Sequence, residues 1–232
     1  MKKISFLIFT LLIVACGKKE KDLIVKANIE GLKKGVVYLK KVEDTLLVTV
    51  DSLVINGNNA NIELYSDIDS PEVFYLYLDK NSSEEDRITF FADKGITEIN
   101  TSLKNFAFDA KIKGSEQQKI FESYKEMISK MNNRNLDLLK EQFEAQKNGD
   151  TTKLDSLIKE SNNTLKRKYL YTVNFALNNK DSEVAPYLAL TEIYNAQVKF
   201  LDTINNSLTP KVKASKYGKK LEEFIENIKE TE

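Results

Sequence analysis

At Lys113-Gly114-Ser115 the spacing of apolar residues changes, and one kind of secondary structure cannot serve both sides of that point. Before it, apolar side chains alternate in short runs; after it, they recur every three or four residues. The fold expected is therefore α+β. An N-terminal antiparallel β-sandwich or open barrel spans residues 23–114, and a helical segment spans residues 115–232.

The β reading rests on short runs separated by turn residues. Leu23 to Ile29, Val36 to Leu39 and Leu46 to Ile55 come first; Ala60 to Tyr65, Val73 to Leu78, Arg87 to Phe91 and Ile96 to Ile99 follow. Phe106 to Ile112 closes the set. Asn56-Gly57-Asn58-Asn59 predicts a hairpin, because Asn-Gly readily takes the positive φ angles of a tight turn.

Ser115 with Gln118 three residues later is a capping box and predicts the start of the first helix. Its apolar stripe runs through Ile120, Phe121, Tyr124, Ile128 and Met131, and Leu138, Leu139 and Phe143 extend it. Asn148-Gly149-Asp150 interrupts the pattern, and Thr151 or Thr152 caps a second helix carrying Leu154, Leu157, Ile158, Leu165, Tyr169, Val173 and Ala176. Two long helices joined by a short break predict a long helical hairpin, with Phe121 and Tyr124 facing Val173 or Ala176. Shorter helices follow from Ser182, from Val198, from Thr209-Pro210 and after Gly218.

The first sixteen residues have a different character. Lys2-Lys3 precede an apolar run from Ile4 to Val14, and Ala15 stands before Cys16, the one cysteine in the chain. This is the layout of a secretory signal. This eleven-residue run, polar only at Ser5 and Thr10, spans roughly half of a ~30 Å hydrocarbon core at about 1.5 Å per residue. Ile13-Val14-Ala15-Cys16 resembles the bacterial lipobox. The resemblance implies cleavage after residue 15, lipidation of Cys16 and a tether over residues 16–22. The location expected is the cell envelope, on the periplasm-facing side of the outer membrane.

Composition narrows the chemistry. Lys plus Arg and Asp plus Glu number 35 each, so no overall field draws in nucleic acid, and none is expected as a partner. The chain has no histidine, and its one thiol is assigned to lipid. That removes the commonest general base, the commonest zinc ligands and every histidine-dependent nucleophile. No catalytic, metal or cofactor residue is assigned, and no cofactor is expected. Carboxylate-only catalysis remains open.

Several groups carry a functional and a plainer reading side by side. Asp67, Asp69 and Glu72, with Glu84-Glu85-Asp86, read as a calcium site or as two solvated turns. Tyr38, Tyr65, Phe74, Tyr75, Tyr77, Phe90 and Phe91 read as a ligand groove or as sandwich core. Lys211, Lys213, Lys216, Lys219 and Lys220 read as an acidic-lipid contact or, balanced by Glu222, Glu223 and Glu226, as a solvated helix face. Asp-Ser/Thr pairs at Thr45, Ser52, Thr151, Ser156 and Thr203 resemble acceptors of Bacteroidetes-type O-glycosylation.

Larger features of the chain also match a known arrangement. They are the Ile29-Glu30-Gly31 turn, Val37-Tyr38-Leu39, Asp51-Ser52 leading to Asn56-Gly57, Pro71 before Tyr75 to Leu78, and Ile112-Lys113-Gly114-Ser115. Ser182 to Leu190 and Ser215 to Leu221 continue it. Together they resemble the N-terminal domain of unknown function of Bacteroidetes-type thioredoxin-like (TlpA-type) disulfide-reductase lipoproteins. In that group a thioredoxin domain follows. This chain carries no C-x-x-C, so the resemblance implies the accessory domain without redox activity. The function expected is a non-enzymatic binding or scaffolding module with an envelope protein partner. The alternative is a carboxylate-dependent hydrolase of glycans or peptidoglycan.

Overall fold

The computed structural model describes residues 21–57, 61–79 and 87–231. Two four-stranded sheets come first. One has the order β4 (Ile62–Ser66), β1 (Leu23–Glu30), β7 (Gly95–Ser102) and β8 (Lys111–Lys113). The other has the order β3 (Leu46–Asn56), β2 (Lys34–Glu43), β5 (Glu72–Asp79) and β6 (Arg87–Ala92). All pairings are antiparallel except β1 with β7, which run parallel from Leu23↔Gly95 to Glu30↔Ser102.

Alternation along the strands builds a sandwich. Leu23, Val25, Ala27 and Ile29 of β1 meet Phe74, Leu76 and Leu78 of β5 and Ile88 and Phe90 of β6 in one core. The opposite face of the first sheet carries Lys26, Asn28 and Glu30 and is solvated. The second sheet differs, because Val73 of β5 and Phe91 of β6 point away from the sandwich into a second apolar cluster with the helices. β5 and β6 are therefore covered on both faces, giving three layers over this part of the sheet, while β3 at the other edge stays largely exposed.

Six helices follow: α1 (Glu116–Lys147), α2 (Thr151–Asn178), α3 (Val184–Glu192), α4 (Val198–Ser207), α5 (Pro210–Lys213) and α6 (Lys216–Thr231). α1 and α2 form the antiparallel hairpin, and 32 residues make α1 about 48 Å long. Gly149 takes φ 70° and ends α1 with a paired cap, Gly149 N–H to Gln146 and Asp150 N–H to Ala145. Among the described residues no helix is long and apolar enough to cross a membrane.

Ser115 caps α1 as the sequence predicts, accepting from Gln118 N–H at 3.1 Å. The Gln118 side chain, however, does not turn back on the cap. Its Oε1 accepts from Phe91 N–H at 2.7 Å, while Ser115 Oγ donates to Phe91 C=O at 3.3 Å. β6 is an edge strand, and these two side chains satisfy the polar groups that Phe91 would leave unpaired on its outer side.

Five local expectations are corrected. Asn56-Gly57 does not close a hairpin within one sheet: β3 pairs with β2 while β4 pairs with β1, so this corner carries the chain between sheets. Asn58 and Asn59 lie outside the described residues. Phe106 to Ile112 is mostly a turn, because Ser102 and Asn105 bond to Asp109; only Lys111–Lys113 pairs with β7. Asp150 caps α2 in place of a threonine, accepting from Lys153 N–H at 3.0 Å. Gly218 lies inside α6, where a Cβ would stand 2.1 Å from the Val212 carbonyl oxygen; α5 and α6 cross too closely for any side chain. Finally, Tyr124 meets Thr172 (2.8 Å between hydroxyls) and Phe175, whereas Phe121 turns to Phe91 and Tyr187. Val173 and Ala176 pack under α3 instead.

Phe121 therefore joins sheet to helices. Phe121→Ala should cost roughly 3–5 kcal/mol in a chemical-denaturation series. Lys119→Ala should be nearly silent, since Lys119 is exposed and pairs with the likewise exposed Glu116.

Candidate functional site

The β2–β3 hairpin turns at Asp44-Thr45, with Asp44 at φ 54°, and it projects past the end of β5. β2 pairs with β5 only from Val36 to Lys41, so Val42 and Asp44 are left with free carbonyls on that side. α6 supplies their partners. Lys216 Nζ donates to Val42 C=O at 2.7 Å, and Lys220 Nζ, one turn later, donates to Asp44 C=O at 3.2 Å. The helix is thereby held off the sheet and across the hairpin tip.

A groove of about 490 Å³ lies beneath this bridge. Val73 and Tyr75 of β5 form its floor; Tyr187, Leu190 and Thr191 of α3 form one wall, and Tyr217, Phe224 and Asn227 of α6 form the other. The inner end is closed by a set of edge-to-face rings. Tyr187 lies 5.3 Å from Phe91 and 5.1 Å from Tyr217, and Tyr217 lies 5.9 Å from Phe91, centroid to centroid. Tyr217 Oη accepts from Val73 N–H at 3.0 Å, at the point where β2 no longer supplies a carbonyl. The groove thus has an apolar body and a polar mouth of Thr45, Lys220, Glu223 and Asp44.

Beside the mouth, Glu72 is buried between two lysines. Lys41 Nζ lies 3.3 Å from it, and Lys216 pairs with its other oxygen. Burial works against the Lys41 ammonium, but the charges and hydrogen bonds of Glu72 and Glu43 outweigh it and raise its pKa. Burial raises Tyr75, Tyr187 and Tyr217, the last two far above the ordinary phenol range. One more buried carboxyl, Glu183, lies away from the groove at the start of α3; burial raises its pKa, and its Oε2 has no hydrogen-bond partner among the described residues.

The sequence candidates distribute as follows. Of the seven aromatics, only Tyr75 lines the groove. Phe74 and Phe90 stack at 6.1 Å inside the sandwich, and Phe91 belongs to the ring cluster. Tyr38 and Tyr77 pair across strands under Lys40, and Tyr65 is exposed and bonds to Glu63. Of the proposed calcium carboxylates, Asp67 pairs with Lys21 and Glu72 with lysines; Glu84, Glu85 and Asp86 lie outside the described residues. Among the described residues no three His, Cys, Asp or Glu side chains converge as a metal site.

The lysine run is not a uniformly solvated face, because Lys216 and Lys220 are committed to the hairpin tip. No sequence signal pointed to that commitment beyond their spacing of four. Thr45, Ser52, Thr151, Ser156 and Thr203 are all exposed, and Thr45 lies at the groove mouth. Cys16 lies outside the described residues.

Residues 23–121 match a family model described as a domain of unknown function, DUF4369. The match runs from β1 into the first turns of α1. No curated protein and no solved structure matches the chain.

The groove should fail at alkaline pH. A lysine or tyrosine whose folded pKa is raised contributes stability that is complete below its unfolded value and is lost as pH rises toward the folded one. Both kinds of group act in the same direction here, so the denaturation midpoint should hold to about pH 10 and fall beyond it. Tyr187→Phe keeps the ring, removes one titrating hydroxyl and should make that fall shallower. A midpoint flat from pH 8 to 11 would contradict this account of the site.

Proposed function

We propose that this protein is an envelope lipoprotein, held at the periplasm-facing side of the outer membrane through Cys16, and that it acts as a non-enzymatic binding module. The groove between the second sheet, α3 and α6 is its binding site. Its occupant is an apolar side chain or short extended segment of an envelope protein, and thiol-redox proteins are the partner class that the TlpA-type resemblance suggests.

The groove carries this reading. It combines an aromatic body with a few polar groups at the mouth, as recognition pockets do. Its walls come from three elements and are braced by Glu72, Lys216 and Lys220, so the cavity is preformed. The polar groups present are suited to orienting a ligand. A hydrolase would need one carboxyl as acid and another as base or nucleophile, about 5–9 Å apart across the scissile bond. The carboxylates lining the groove, Asp44 and Glu223, both stand at the mouth beside Lys220.

A pull-down from detergent-solubilised envelope tests the groove. Wild-type chain should recover a specific partner, and Thr191→Arg, which puts a long charged side chain on an exposed wall position, should lose it while unfolding normally. Equal recovery by both chains would reject the groove as the site. Cleavage of peptidoglycan abolished by Asp44→Asn with Glu223→Gln would establish the hydrolase instead. The anchor is tested separately: Cys16→Ser should remove incorporated radiolabelled fatty acid and release the protein from the membrane fraction or leave its signal uncleaved.

A further inference from the structure

The outer half of the α1–α2 hairpin has two unlike faces. At about 100° per residue, Leu136, Leu139 and Phe143 of α1 fall to one side of the line joining the helix axes. Ile158 and Leu165 of α2 fall to that same side. These five side chains are 42 to 70% exposed, although Leu139, Phe143, Ile158 and Leu165 belong to the stripes that the sequence assigns to the interior. The opposite side is polar, and there Arg134 ties Glu141 at 3.4 Å to Glu160 at 2.6 Å.

Nearer the sandwich the same apolar side is covered. Phe121 and Ile128 of α1 pack with Val184 and Leu188, and Val173 and Ala176 of α2 pack with Ala185 and Ala189. α3 thus lies along the root of the hairpin and stops short of its outer half. An apolar hollow of about 240 Å³, lined by Tyr169, Leu170, Val173 and Phe200 among others, marks where the cover ends.

Lysines border the bare stretch on both outer flanks. Lys140 and Lys147 stand beside Leu136 and Phe143, and Lys159 and Lys166 stand beside Ile158 and Leu165; all four are exposed. Asp155 is the carboxylate at the same border. We infer that this face rests on an anionic phospholipid surface, with Phe143, Leu139, Leu136, Ile158 and Leu165 entering the interface and the lysines reaching the headgroups.

Shape and charge select this occupant. A single partner helix would lie in the furrow between α1 and α2, and it would leave Phe143 and Leu136, which point outward from that furrow, uncovered. A second copy of the chain would set lysine border against lysine border. A flat negative surface meets both the outward-pointing apolar groups and the flanking ammonium groups. The hairpin also leaves the sandwich at the end where the described chain begins: Gly95 N–H donates to Asp22 C=O at 2.7 Å, and β8 enters Gly114 and α1 beside the same strand. The described chain therefore begins near the hairpin's root.

The chain contains no tryptophan, so Phe143→Trp places a unique reporter on the face. The full chain would be reconstituted into phosphatidylglycerol/phosphatidylcholine vesicles with brominated acyl chains. The emission of this variant should shift to the blue and be quenched, and Asp137→Trp on the polar side should show neither effect. Phosphatidylcholine alone should weaken the quenching, as should replacement of Lys140, Lys147, Lys159 and Lys166 by Gln. Unquenched emission at position 143 would overturn the inference, as would quenching that is indifferent to lipid charge. A blue shift that grows with protein concentration in detergent alone would do the same by identifying a second copy as the occupant. Loss of the lipid on Cys16 is read by fractionation and labelling, so failure of the anchor and failure of this face give different results.

Discussion

Phe91 is the residue through which the two halves of this protein are one body. Its backbone N–H and C=O, on the outer side of edge strand β6, are taken by Gln118 and Ser115 at the head of α1. Its ring is packed by Phe121 from α1, Tyr187 from α3 and Tyr217 from α6. An edge strand needs its free polar groups covered, and a helix N-terminus needs acceptors for its first amides. One pair of side chains does both, so the strand's need and the helix's need fix each other's position. Everything that lies over the second sheet, the groove included, takes its placement from that junction.

The second structural tie is electrostatic. Glu72 is buried, and a buried carboxylate persists only where partners compensate its lost hydration. Lys41 supplies one from within the sheet and Lys216 supplies the other from α6. Lys216 also reaches the Val42 carbonyl, so the same ammonium that stabilises the acid holds the β2–β3 tip. The groove is thus a space between two anchored elements and does not depend on a flexible lid. Gly218, two residues further on, lets α6 begin directly against α5 and sets the angle of the groove wall.

Much of this architecture is legible in the order of residues. The change at Lys113-Gly114-Ser115, the cap at Ser115, the break at Asn148-Gly149-Asp150 and the proline opening α5 are local events, controlled by backbone conformation within a few residues. The errors have a common cause. Asn56-Gly57 does stand where β3 ends, but which strands β3 and β4 pair with depends on residues far along the chain. Gln118 looks like half of a local capping box until Phe91, 27 positions earlier, competes for its side chain. Leu139 and Phe143 satisfy helical spacing as well as Phe121 does, yet spacing cannot say how far α3 extends over them.

The sequence by itself determined the element types, the point where strands give way to helices, and the absence of histidine, because propensity, capping and composition are properties of short segments or of none. Only the tertiary structure decided that β5 and β6 are covered on both faces, that Lys216 and Lys220 bind carbonyls of a hairpin more than 170 residues away, and that Tyr75, Tyr187 and Tyr217 share one cavity. Those facts arise from contacts between distant segments. Their energies depend on which groups the packed chain removes from water together, and no local pattern encodes that choice.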